Sequence, residues 1–161
     1  MTKPVLSPEA LLALWQALEN GPTAKEIAAV DDACVESLYA LGHDLYKAEN
    51  FRDAETVFRA LAFLNPKDRR FWMGLGGARQ GLGHFSEASD AYQLAALASG
   101  LGDPEPLLYA AQCFLQMKKK DEAKAGLEAV LRTGDPSDAR TAECRSRAAA
   151  LLELLSGAPK P

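Results

Sequence analysis

Apolar residues recur along this chain at intervals of three and four, the period of a helix with one buried stripe, and the runs come in pairs. Between about residues 35 and 134 one arrangement is written three times. Leu38-x2-Leu41-Gly42 is followed by Ala54, Phe58 and Pro66. Trp72-x2-Leu75-Gly76 is followed by Ala88, Tyr92 and Ala95, and Leu107-x2-Ala110-Ala111 by Ala123, Leu127 and Val130. Aligned on Ala54, Ala88 and Ala123, the copies lie 34 and 35 residues apart. Each copy predicts a hairpin of two helices, A then B. Gly42, Gly76 and Ala111 on helix A, with Ala54, Ala88 and Ala123 on helix B, predict axes that approach closely, while the large residues fill the space between hairpins. One hairpin cannot bury its apolar face alone, and roughly three are needed for a stable core. No stretch predicts a strand, so the class is all-α.

A period near 34 with Trp/Leu, Leu-Gly, Ala and aromatic positions in that order resembles the tetratricopeptide repeat, whose hairpins stack into a superhelix. The expected architecture is one domain over residues 1–161. Helices at 7–30 precede three repeats at 35–134, and a capping helix follows at 137–155. Ser7 as N-cap, Pro8 and Glu9 open the first helix. Leu11, Leu14, Trp15 and Leu18 form its stripe, and Asn20-Gly21-Pro22 stops it. The stripe either packs back onto the hairpins or pairs with a second copy of the chain, and a homodimer is the favoured expectation. Thr23-x-x-Glu26 is a capping box for a short helix to about Val30. Asp31 then caps helix A of the first hairpin. Breaks are expected at Asn65-Pro66, Gly100 to Pro104 and Gly134-Asp135-Pro136. The last helix sets Ala142, Ala149 and Leu152 on one side and Arg140, Arg145 and Arg147 elsewhere, which suits a cover for the end of the stack.

Residues three and four apart on helix A share a face. Leu38, Leu41, Gly42 and Leu45 take the buried face of the first hairpin, leaving Tyr39, His43 and Tyr46, with Lys47 at the edge, on the other. The matching places are Arg70, Met73, Gly77 and Gln80 in the second hairpin. In the third they are Glu105, Leu108, Gln112 and Leu115. In a superhelix of this kind helix A lines the concave side, so these residues predict one groove, apolar with a few amides and two tyrosines. Such a strip marks a partner site, the alternative being that the terminal helix covers Tyr39 and Met73. Gly77 is expected to open a hollow in the groove surface. The run from Gly74 to Gly83 is rich in glycine, but Arg79 stands where a dinucleotide fingerprint requires glycine, and no strand precedes it. Glycine in a helix costs about 1 kcal/mol relative to alanine, so this run needs a packing reason, which Gly76 supplies by its place between the helices.

The net charge of −4 predicts no nucleic-acid footprint. Lys118-Lys119-Lys120 falls in a turn, where solvated lysines are expected. No apolar run reaches the length of a membrane span, and no secretory signal is read at the N-terminus. Cys34, Cys113 and Cys144 are an odd set with no C-x-x-C pair, which predicts reduced thiols in a cytoplasmic protein. His43 and His84 complete no metal-ligand set. No Ser or Cys nucleophile is placed to use His43 and no carboxylate pair is set for acid–base work, so neither an enzyme nor a cofactor is expected.

Three further stretches carry a narrower resemblance: Leu38-Tyr39-Ala40-Leu41; Phe51-x2-Ala54 with Val57-Phe58-x-Ala60-Leu61; and Asp68-x-Arg70-Phe71-Trp72-x-Gly74-Leu75-Gly76-Gly77-x-Arg79-Gln80. The last, with Gly83-x-Phe85 and Ala110-Ala111-Gln112-Cys113 after it, is far more specific than a general repeat pattern. Over about residues 20 to 130 the chain resembles the class II chaperones of type III secretion translocators, the SycD/LcrH-like proteins of Gram-negative bacteria. It departs from them at Phe63, often small or polar, at Glu49, often glycine, and at Tyr109 and Gln112, often His and Glu. The resemblance implies a cytoplasmic chaperone whose partners are pore-forming translocators, major and minor, held before export. An extended N-terminal segment of the cargo would lie in the groove against Tyr39, His43, Tyr46, Met73, Gly77 and Gln80, continuing past Leu108 and Gln112. Some relatives also assist an AraC-type transcription regulator. A rival reading, an adaptor gripping a terminal carboxylate, requires Lys, Arg and Asn at the groove positions, where this chain has Tyr39, His43, Met73, Gly77, Leu108 and Gln112; a third is a scaffold that assembles larger complexes.

Overall fold

The computed structural model describes Gln16 and residues 20–157, and all its regular structure is helical. Leu11, Leu14, Trp15 and Leu18, the expected self-association stripe, lie outside the described residues. Helix α1 (Ala24–Ile27) carries the expected capping box, with Thr23 Oγ1 accepting from Glu26 N and Glu26 accepting from Thr23 N. It ends at Ile27, earlier than predicted, and Ala29 just beyond has φ 49°. Three hairpins follow: α2 (Asp32–Lys47) with α3 (Phe51–Leu64), α4 (Arg69–Gly81) with α5 (Phe85–Ala98), and α6 (Pro104–Gln116) with α7 (Lys120–Arg132). Helix α8 (Ala139–Ser156) closes the stack.

The hairpins share one punctuation. Asp31, Asp68 and Asp103 each cap a helix A, accepting from the backbone N–H two residues on, and Asp138 does the same for α8 from Thr141. A short carboxylate at this place satisfies a donor that the helix cannot and favours the positive end of its dipole. Each tight A–B turn instead passes through one left-handed residue, Glu49 (φ 58°), Gly83 (φ 78°) or Lys118 (φ 60°), and no side chain caps helix B. The repeat therefore demands a positive φ at this position, and only the second copy meets it with glycine.

Ala54, Ala88, Ala111 and Ala123 are fully buried, and Gly42 and Gly76 are buried beside them. The glycines make room for rings rather than only for backbone. A Cβ on Gly42 would lie 3.1 Å from the Phe58 ring, and one on Gly76 would lie 2.6 Å from the Tyr92 ring. In the third hairpin the corresponding pair is Ala111 and Leu127, a larger residue against a smaller one. Gly74 and Gly81 receive rings in the same way, Phe58 at 2.4 Å and Phe51 at 2.6 Å from where a Cβ would sit. That is the packing reason which the glycine-rich stretch required.

Two expectations about faces are corrected. Leu41, assigned to the buried side, is 48% exposed, on α2, the outermost helix A among the described residues. On α8 the buried stripe is Thr141, Cys144 and Ala148, with Leu151, Leu152 and Leu155 partly covered, while Ala142 is exposed. In a helix with so many alanines, hydrophobicity alone does not identify the buried side. Arg145 fastens this helix by donating to the carbonyls of Thr133 and Gly134, each at 3.1 Å, which uses acceptors left over at the end of α7. Among the described residues no helix is long and apolar enough to cross a membrane.

Candidate peptide-binding groove

Helices α2, α4 and α6 line one concave side, and a cavity of about 600 Å³ opens there. From the predicted set, Tyr39, His43, Tyr46, Arg70, Met73, Gly77, Gln80 and Glu105 line it. The first hairpin contributes half-exposed aromatic side chains. Tyr39 leans on the buried Phe58 and Phe71 rings, with centroids 6.1 and 5.9 Å away, and stacks at 6.4 Å with His43. Tyr46 is 40% exposed and meets Phe51 edge-on. A Cβ on Gly77 would be 3.1 Å from the Tyr46 ring, so the hollow expected at Gly77 is partly roofed by a tyrosine from the neighbouring helix.

Four predicted positions fall elsewhere. Leu108 is fully buried in a cluster with Leu127, Val130, Cys144 and Ala148. Its place in the repeat matches Tyr39 and Met73, a position that touches the next layer of the stack as well as the groove. For the third hairpin the next layer is α8, which covers it. Gln112 and Leu115 are half-buried outside the cavity lining, and Lys47 is exposed at the end of α2. Tyr109, one residue beyond Leu108, lines the cavity instead.

Sequence reasoning also missed Arg69, Tyr92 and Arg140. Tyr92 was legible only as a core aromatic. It is 3% exposed, yet its ring forms part of the floor, stacked on Tyr109 at 5.3 Å and donating to Gln80 Oε1 at 2.8 Å. Burial pushes its phenol above the ordinary value, so it stays a neutral donor. The groove thus holds four tyrosines, 39, 46, 92 and 109, rather than two. Arg140 comes from the capping helix, outside any repeat, and no periodicity announces it.

The charges gather along one edge, at the start of each helix A. Arg70 donates to Asp68 and Glu36 at 2.7 Å each and sits 4.8 Å from the Tyr39 ring centroid. These hydrogen bonds, with Asp68 the larger contributor, raise its pKa further, and the bond from Arg70 holds the Glu36 carboxyl below its usual range. Arg69 bridges Asp103 at 2.7 Å and Glu105 at 2.9 Å, and Arg140 also pairs with Glu105. The groove therefore has an ion-paired rim facing an uncharged floor of Tyr46, Gly77, Gln80 and Tyr92. The three rim arginines are already occupied by carboxylates.

A curved stack of helix hairpins with an open, aromatic-floored concave side defines a tetratricopeptide-repeat binding module, and residues 39–80 match the tetratricopeptide repeat family. The chain is 34% identical over 116 residues to the low calcium response locus protein H of Yersinia pestis, spanning 72% of this chain and 68% of that protein. A type III secretion complex from Aeromonas hydrophila is similar in structure, with a TM-score of 0.80 at 32% identity over 91% of this chain and 96% of that one. The Yersinia enterocolitica type III secretion chaperone SycD, solved with a peptide of the translocator YopD, gives a TM-score of 0.73 at 30% identity over 79% of this chain and 95% of that one. This chain belongs to the family of type III secretion translocator chaperones.

Proposed function

We propose that this protein binds a pore-forming translocator of a type III secretion system in the cytoplasm and sequesters it until export. An extended segment of the client lies along the concave groove. The observation that carries this reading is the open cavity of about 600 Å³ whose uncharged floor is built from helix A of the first two hairpins and Tyr92 of α5. An extended, proline-bearing segment has little conformational entropy left to lose and presents apolar side chains to an aromatic surface. Tyr39, His43, Tyr46 and Met73 supply that surface, with the Tyr46 ring lying over Gly77. The paired rim fixes one wall of the groove without offering a free cation. A translocator must carry membrane-inserting segments, and holding it prevents aggregation or premature insertion.

The carboxylate-gripping adaptor is disfavoured because the arginines that line the cavity, Arg69, Arg70 and Arg140, would have to leave Asp103, Glu105, Asp68 and Glu36 to serve a client anion. The test is co-expression with the neighbouring translocator genes, followed by affinity capture and mass spectrometry. Wild type should retain a translocator, and a His43→Glu, Tyr46→Asp double variant should release it with helical circular dichroism unchanged, since both side chains are exposed. Capture by the folded double variant would contradict the reading. Tyr39 and Met73 are poorer targets, because each also packs against a buried cluster and its loss would disturb folding.

A further inference from the structure

One arginine beside the groove, next to the cavity lining rather than part of it, is not spent on a carboxylate. Arg147 lies on α8 seven residues beyond Arg140, about 10 Å further along the helix axis. Its guanidinium sits 6.0 Å from the centroid of the Tyr109 ring. That ring is held in place by its stack on Tyr92, itself pinned to Gln80, so the cation stands over a fixed part of the cavity lining. Among the described residues Arg69, Arg70 and Arg140 each form salt bridges, and Arg145 is committed to backbone carbonyls, whereas Arg147 is exposed and has only the tyrosine face.

We propose that Arg147 over Tyr109 forms a specificity subsite at the capping-helix end of the groove, which takes an acidic side chain of the bound peptide. The proposal rests on the peptide-binding reading above and adds a charge requirement to it. A guanidinium donates two hydrogen bonds to a carboxylate from its edge while its flat face stays on an aromatic ring, so the tyrosine and the client acid do not compete for the same surface. The protein's net charge of −4 opposes general attraction of acidic peptides. A preference for Asp or Glu at one fixed place must therefore come from a local cation. Because Arg147 is exposed, the gain is modest and screened by salt.

The probe is a displayed library of randomised peptides about twelve residues long, enough to run roughly 40 Å when extended. It is selected in parallel on wild type, Arg147→Gln and Arg147→Glu. Wild type should enrich apolar and proline anchors with Asp or Glu at one fixed offset. Arg147→Gln should keep the anchors and lose the acid, and Arg147→Glu should favour Lys or Arg at that offset. A selected acidic peptide should bind Arg147→Gln roughly three- to fivefold more weakly at low salt, and the difference should vanish at high salt. Anchors selected without an acid preference, or an acid preference that survives Arg147→Gln, overturn the subsite and leave the groove standing. Selection of no anchor by wild type removes the groove and the subsite together.

Discussion

Gly74 and Gly77 lie one turn apart on α4, and the same substitution should move stability in opposite directions at the two sites. A methyl group on Gly74 meets the buried Phe58 ring at 2.4 Å, and that ring, 2% exposed, has nowhere to go. Overpacking of this kind costs about 1–3 kcal/mol or more, which outweighs the roughly 1 kcal/mol gained when alanine replaces glycine in a helix. On Gly77 the nearest atoms belong to Tyr46, exposed and able to swing by the few tenths of an ångström required. Urea unfolding should show Gly74→Ala destabilised, and Gly77→Ala unchanged or stabilised by up to about 1 kcal/mol. Equal effects would mean that the ring packing is misassigned. The sequence displayed these glycines as an anomaly needing a reason. It could not say which aromatic residue answers each one, because Phe51, Phe58, Tyr46 and Tyr92 come from other helices.

Helix boundaries were largely legible because short carboxylates mark them. Asp31, Asp68, Asp103 and Asp138 cap four helices by the same local chemistry, although the sequence reading named only Asp31 as a cap. Faces were less legible where layers change. The position of Tyr39 and Met73 points partly into the groove and partly towards the next layer, and which side wins at Leu108 depends on α8, whose alanine-rich sequence hides its buried stripe. Arg145 joins that helix to the third hairpin by bonds to the Thr133 and Gly134 carbonyls. Arg145→Ala should lower stability by about 1–3 kcal/mol, a charged donor lost to half-buried carbonyls, as measured by chemical denaturation. An unchanged midpoint would show that the capping helix is held by its apolar stripe alone.

At the scale of the whole molecule, the repeat period specified a superhelix, and the superhelix placed eight of the twelve predicted groove residues around one cavity. What it could not convey was the electrostatic division of that cavity, because the rim joins Glu36, Arg70 and Asp68 across hairpins and Arg140 from outside the repeats. Self-association belongs to this scale too. If Leu14 and Trp15 form a dimer face, Leu14→Asp or Trp15→Asp should shift the mass seen by light scattering from dimer to monomer, and a wild type already monomeric at tens of micromolar would contradict it. The central claim, that a translocator segment lies in the concave groove, is tested most directly by photo-crosslinking. A crosslinking amino acid placed at Tyr46 in the co-purified complex should join the chain to the translocator, while one at Phe63, 75% exposed and outside the cavity lining, should not. Crosslinks from position 63 with none from position 46 would place the client on another surface and contradict the account.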